Sequence, residues 1–171
     1  MAEYNLGFSE SLIFAASAVL EDGIESEDAQ RTVLYLSQLS CELTLKALLE
    51  RAGMPIVEII AHSHKLDKLL ADLSVRCEVE EGGESRCASA IRSKRICKDD
   101  AQLTLGKLME AEKEGASIYP GQIRYGQSIR NYPPVAWLEA AKILHDYARA
   151  YWEKIRMYVT PPSPRSTDLE R

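Results

Sequence analysis

No two of the four cysteines stand at Cys-x-x-Cys spacing, so neither a redox dithiol motif nor the usual paired zinc spacing is present. Cys77, Cys87 and Cys97 follow at ten-residue intervals, which suits no common metal site, and Cys41 falls in an apolar helical pattern as a small hydrophobe does. All four read as reduced thiols, with no metal and no cofactor expected. The chain also lacks an excess of positive charge. At a net charge of -5 there is no whole-chain electrostatic reason to bind nucleic acid, so any anionic ligand has to be held locally. Met1-Ala2-Glu3-Tyr4-Asn5 has neither the basic region nor the apolar core of a signal peptide, and no apolar run approaches membrane-spanning length. The expected setting is the cytoplasm, away from membrane. Strand alternation, internal repeats, phosphate-loop spacing and serine or cysteine nucleophile motifs are missing too.

What remains is helical. The 171 residues, 46% of them hydrophobic, suffice for one domain with its own core, expected over 1–159, with a disordered proline-bearing tail over 160–171. Asn5 or Ser9 caps a first helix that Asp22-Gly23 ends. Ser26, Glu27 and Asp28 start a second helix of nearly thirty residues, closed by Gly53 and Pro55. Ser63 or His64 opens a third helix ending near Cys77, and the acidic, glycine-bearing stretch Glu78–Glu84 suits a solvated loop. A further helix follows Asp99-Asp100 and ends near Gly115, Ile118–Gly126 makes a loop, and Pro133-Pro134 begin a last helix reaching about Tyr158. The fold class expected is all-α, an antiparallel up-and-down bundle of five or six helices.

Within the second helix Gln38, Glu42, Lys46 and Glu50 recur every four residues, a polar stripe on a helix otherwise apolar around most of its circumference. Glu42 and Lys46 stand in the favourable order for an ion pair one turn apart. If that helix is buried, the pair must face a cleft or another polar partner, because uncompensated buried charge is costly, and Arg124 is the candidate to approach Glu42. His64 and Lys65 mark a helix start, where free backbone donors and the helix dipole favour an anion; the plainer reading of His64 is a cap. Arg86, Arg92, Lys94, Arg95 and Lys98 form one basic cluster, a solvated face or an RNA contact, without the aromatics that would stack bases. His145 and Asp146 are adjacent and so point about 100 degrees apart on a helix. His145 is therefore read as surface or interface, beside Trp137, Tyr151 and Trp152 as contact area between subunits.

The succession Glu42-Leu43-Thr44-Leu45-Lys46-Ala47-Leu48-Leu49, a loop, His64-Lys65-Leu66-Asp67-Lys68-Leu69, and Ile123-Arg124-Tyr125 before a last amphipathic helix resembles the HEPN domain, named for nucleotide binding in higher eukaryotes and prokaryotes. The resemblance spans roughly Ser9 to Tyr158. It implies a five- or six-helix bundle, frequently a homodimer, here through one long-helix face. Many HEPN proteins are metal-independent ribonucleases with an arginine four to six residues before a histidine. No histidine of this chain has an arginine at that distance. The resemblance therefore implies a non-catalytic nucleotide binder, or the companion of a separate nucleotidyltransferase in a toxin–antitoxin type of system. It also gives Arg124 and Tyr125 a role, the guanidinium gripping a phosphate and the ring stacking on a base. The expected site is Glu42, Lys46, His64, Lys65, Arg124 and Tyr125. The alternatives are a ribonuclease with a rearranged site, His145 with Arg149 one turn later, and a protein interaction module.

Overall fold

Two capping residues open the first two helices. In the computed structural model Asn5 accepts the Gly7 N–H and opens α1, Leu6–Asp22, and Ser26 accepts the Ala29 N–H and opens α2, Glu27–Ala52. Gly53 ends α2 in the left-handed region, φ 101°, returning its N–H to the carbonyls of Glu50 and Leu49. The structure describes residues 3–97, 100, 102–113, 119–124 and 133–158, the side chains of Gln122 and Arg124 excepted. Lys98, Asp99, Tyr125 and the expected tail over 160–171 lie outside the described residues.

After α2 come α3, Ile56–Ala61, and α4, Leu66–Arg76. Two strands follow, β1, Cys77–Glu81, and β2, Glu84–Cys87, then a 3-10 turn over Ala88–Ser93. The remaining elements are α5, Leu105–Lys113, the four-residue α6, Gly121–Arg124, α7, Pro134–Tyr151, and β3, Ile155–Met157. Helix α2 packs on α1, α4 and α7, and α1 also meets α7. Leu34, Cys41, Leu45, Leu48 and Leu49 of α2 are fully buried in a cluster that reaches Trp137, Leu138 and Leu144 of α7 and Leu66, Leu69 and Leu73 of α4. Between α1 and α2 the side chains are small. Ser9 Oγ meets Ser40 Oγ at 2.9 Å and also Thr44 Oγ1, so hydroxyls satisfy one another at a close, fully buried crossing.

The fold is mostly helical, as expected, and carries in addition a small three-stranded antiparallel sheet in the order β2-β1-β3 that was not expected. The stretch expected to be a solvated loop is a hairpin. Gly82 and Gly83 both take positive φ, 62° and 83°, as a two-residue hairpin turn of the primed type requires. Cys77 and Val79 turn inward while Glu78 and Glu80 alternate with them on the outer face, and Glu81 is exposed at the strand end. The last helix stops at Tyr151 rather than near Tyr158 because Ile155 pairs with Val79 and Cys77 with Met157. Two other boundaries moved. Helix α3 was not expected at all, and α4 starts at Leu66 with Lys65 as its N-cap residue, so His64 is not the cap. Of the anticipated contact area, Trp137 is fully buried and His145 is only 6% exposed, so both are core, while Tyr151 and Trp152 remain partly exposed. Among the described residues no helix is long and apolar enough to cross a membrane.

Leu45 is fully enclosed by this core, whereas Phe14 on α1 is 68% exposed. In urea denaturation Leu45→Ala is expected to cost about 2–5 kcal/mol, and Phe14→Ser to stay within about 0.5 kcal/mol. A Leu45 variant as stable as the parent would contradict the packing of α2.

Candidate functional site

The polar stripe of α2 is buried rather than solvated. Gln38 is fully buried, Glu42 is 3% exposed and Lys46 is 7% exposed. Lys46 Nζ donates to Glu42 Oε1 at 2.7 Å, the one-turn pair read from spacing. That pair is only half of the arrangement. His64 Nδ1 lies 3.1 and 2.9 Å from the two carboxylate oxygens, and the Tyr119 hydroxyl donates to Oε2 at 2.7 Å. Three groups, Lys46 Nζ, His64 Nδ1 and the Tyr119 hydroxyl, thus converge on the Glu42 carboxylate, and neither His64 nor Tyr119 was expected as its partner. The Arg124 side chain and Tyr125 lie outside the described residues, as noted above.

Each group reaches Glu42 for a local reason. The chain turns between α3 and α4 at Ser63, whose φ of 53° is unusual for a residue with a side chain and costs on the order of 1 kcal/mol. The histidines on either side of that turn then diverge. His62 Nε2 meets Asp72 Oδ2 at 2.7 Å, while His64 faces α2. Tyr119 precedes α6, and its ring lies 6.0 Å from Tyr35 and 6.1 Å, edge-on, from His64. On the other flank Lys46 Nζ sits 5.4 Å from the centre of the Tyr4 ring. Glu50 holds Tyr4 in place by accepting the backbone N–H groups of Glu3 and Tyr4 at 2.8 and 3.0 Å. Burial first, and the Glu42 charge second, push the Tyr119 phenol well above its usual range, so it remains a hydrogen donor. Burial likewise raises the Tyr4 phenol.

This network backs a cleft of about 570 Å³ lined by His64, Lys65, Lys68, Lys113, Tyr119 and Pro120 among others. That volume suits a small organic ligand. His64 is 47% exposed at the side chain, so it bridges the buried carboxylate and the open cleft. Lys65, Lys68 and Lys113 are exposed and form no ion pair among the described residues. Acid is present as well, in Asp67 and Glu112, the latter accepting the Tyr119 backbone N–H at 3.4 Å. The N-cap residue of α4, Lys65, makes no side-chain cap bond, and the first turn of that helix, at the cleft, carries the acidic Asp67.

Four of the six expected site residues are thus brought together, Glu42, Lys46, His64 and Lys65. Lys68, which stands with Lys65 at the same helix start, lines the cleft too, whereas Tyr119 was missed, along with Lys113, Tyr4 and Tyr35. The other candidate centres do not assemble. His145 is buried in α7, while Arg149 is 67% exposed at its side chain and lies 3.7 Å from Glu10 on α1, so the two present no common surface. The basic cluster is dispersed and partly neutralised, with Arg86 beside Glu81 and Glu84 and Arg92 paired with Glu110. Among the described residues no group of three histidine, cysteine or acidic side chains is placed to hold a metal. The cysteines are unpaired, and burial raises the Cys41 thiol and lifts the Cys77 thiol to about 12, where neither is a nucleophile at neutral pH. A scan against protein-family models finds no matching family, and searches of curated proteins and of solved structures find no match.

Removing the cation from the buried pair is the direct test of the network. Lys46→Met is expected to cost roughly 3–5 kcal/mol in urea denaturation, and Glu42→Leu with Lys46→Met together to recover much of that loss. A double variant whose loss equals the sum of the losses of Lys46→Met and Glu42→Leu would show the pair to be uncoupled. A second test is alkaline stability. Burial raises the phenols of Tyr119, Tyr4, Tyr147 and Tyr151 above the ordinary tyrosine value of about 10, so the unfolded chain loses protons that the folded chain keeps, and stability must fall as pH rises past about 10. Tyr119→Phe should make the fall shallower, measured by thermal unfolding across pH 9 to 11 as approximate bounds.

Proposed function

We propose that this chain is a non-catalytic, HEPN-like protein that binds a nucleotide in the cleft beside His64, Lys65 and Tyr119, in the manner of a companion to a separate nucleotidyltransferase. One observation carries the reading. A buried carboxylate, Glu42, uses its acceptors to hold two side chains, His64 and Tyr119, at the wall of the same cleft that collects three unpaired lysines. Burying Lys46 and Glu42 for stability alone is a poor bargain, because apolar residues of the same size are commonly as stable or more so. The same pair makes sense as the support of a surface whose groups must be oriented in advance. Lys65, Lys68 and Lys113, with the first-turn amides of α4, suit phosphate oxygens. Tyr119 and Pro120 give a flat apolar wall against which a base can lie. The strained turn at Ser63 fits the same view, since such strain is found where geometry serves binding.

A protein interaction module is the second reading, favoured by a different face. Both phenylalanines of the chain, Phe8 and Phe14, stand exposed on the outer side of α1 with Ala15 and Ala18. A helix apolar on this side as well as on its core side has more hydrophobic surface than the fold covers.

Thermal shift against nucleoside mono-, di- and triphosphates, with and without magnesium, separates the two readings. A concentration-dependent rise in melting temperature that Lys65→Ala with Lys68→Ala reduces at least tenfold in apparent affinity is the expected result. A flat screen with the intact chain would sink the nucleotide reading and leave α1 as the face to pursue.

A further inference from the structure

The hydrogen-bond pattern assigns one ring nitrogen of His64 and leaves the other open. Both oxygens of Glu42 approach Nδ1, and a carboxylate can only accept, so Nδ1 carries a proton. In the ring that carries a single proton, the lone pair therefore sits on Nε2. The two nitrogens point away from each other across the imidazole. With Nδ1 turned into the core toward Glu42, Nε2 is directed to the exposed half of the ring, and it has no partner among the described residues. An oriented acceptor at the wall of the cleft calls for a donor on the ligand. Phosphate oxygens at neutral pH supply none.

Position narrows the donor further. His64 is joined in sequence to Lys65 on one side and touches the Tyr119 ring edge-on at 6.1 Å on the other. It thus stands between the cationic part of the cleft and its aromatic wall. A nucleotide has the same order of parts, phosphate, sugar, base, and the donors in its middle are the sugar hydroxyls. We propose that His64 Nε2 accepts a hydrogen bond from a ribose hydroxyl, making the cleft selective for ribonucleotides over 2′-deoxyribonucleotides. The inference rests on the nucleotide reading of this cleft and adds to it the identity of the sugar.

The substitution that isolates Nε2 is His64→Asn, whose side-chain amide can still donate to Glu42 from the place of Nδ1 while nothing occupies the place of Nε2. Calorimetric titration of the full chain with a ribonucleoside triphosphate, its 2′-deoxy and 3′-deoxy forms, and inorganic tripolyphosphate gives the readout. The expected result for the parent chain is about tenfold weaker binding of the 2′-deoxy form, the usual worth of one well-placed hydrogen bond. In His64→Asn that difference disappears while tripolyphosphate affinity stays the same. Equal affinity of the parent for ribo and 2′-deoxy forms, or discrimination that survives His64→Asn, overturns the sugar assignment and leaves the nucleotide site standing. Failure of the parent to bind any of the nucleotides overturns both.

Discussion

The Glu42 carboxylate is the group on which the rest of the site is mounted. It lies in the core on α2, and a desolvated charge there is tolerable only if it is fully hydrogen-bonded and neutralised. Lys46 supplies the counter-charge, while His64 and Tyr119 supply the remaining donors. The consequences run outward in both directions. Toward the N-terminus, Lys46 lies against the Tyr4 ring and Glu50 accepts the backbone N–H groups of Glu3 and Tyr4, so the segment before α1 is laid along the same helical stripe. Toward the cleft, the requirement that Glu42 be satisfied dictates where the turn between α3 and α4 and the start of α6 can sit. Loops elsewhere are held by their own turn chemistry; these two are held by the core.

That constraint was partly legible in the sequence. The i,i+4 order of Glu42 and Lys46 on a helix of Leu34, Cys41, Leu45 and Leu48 says that the charges are buried and need company. It does not say whose. Tyr119 is 77 residues away and one of eight tyrosines, with no periodicity around it to mark it out. His64 is visible as a polar residue near a helix start, and the natural reading of such a residue is a cap. Its real partner is on another helix, because Ser63 turns the backbone left-handed just before it. Lys113 was hidden for the opposite reason, since an isolated lysine on a helix surface is ordinary until a cleft brings it beside others.

The helices were read well where local chemistry decides them, and the sheet was missed where it does not. Ser26 at one end of α2 and Gly53 with Pro55 at the other are sufficient signals by themselves. In Cys77-Glu78-Val79-Glu80 the period of two is present for only four residues, and the glutamates read as solvated charge. The third strand lies within an apolar spacing, Ala148, Tyr151, Ile155, that a helix could continue. Only pairing with β1, and the ion pair of Arg156 with Glu78 at 2.7 Å across it, ends α7 where it does. Propensity was overridden by a partner that is distant in sequence.

The same layout separates what holds the protein together from what a ligand can touch. Glu42, Lys46 and the Tyr119 hydroxyl are sealed in the core, and changing them disturbs stability. Lys65, Lys68, Lys113 and Nε2 of His64 are exposed and unpartnered, and changing them alters little except the cleft. Charge is arranged to match. A chain of net charge -5 repels anions at long range, but at physiological ionic strength that field is screened beyond about 8 Å, whereas lysines lining a cleft act at contact distance. In the proposed reading an anionic ligand gains affinity only after it has entered, from lysines that stand beside two side chains, His64 and Tyr119, held by a buried carboxylate.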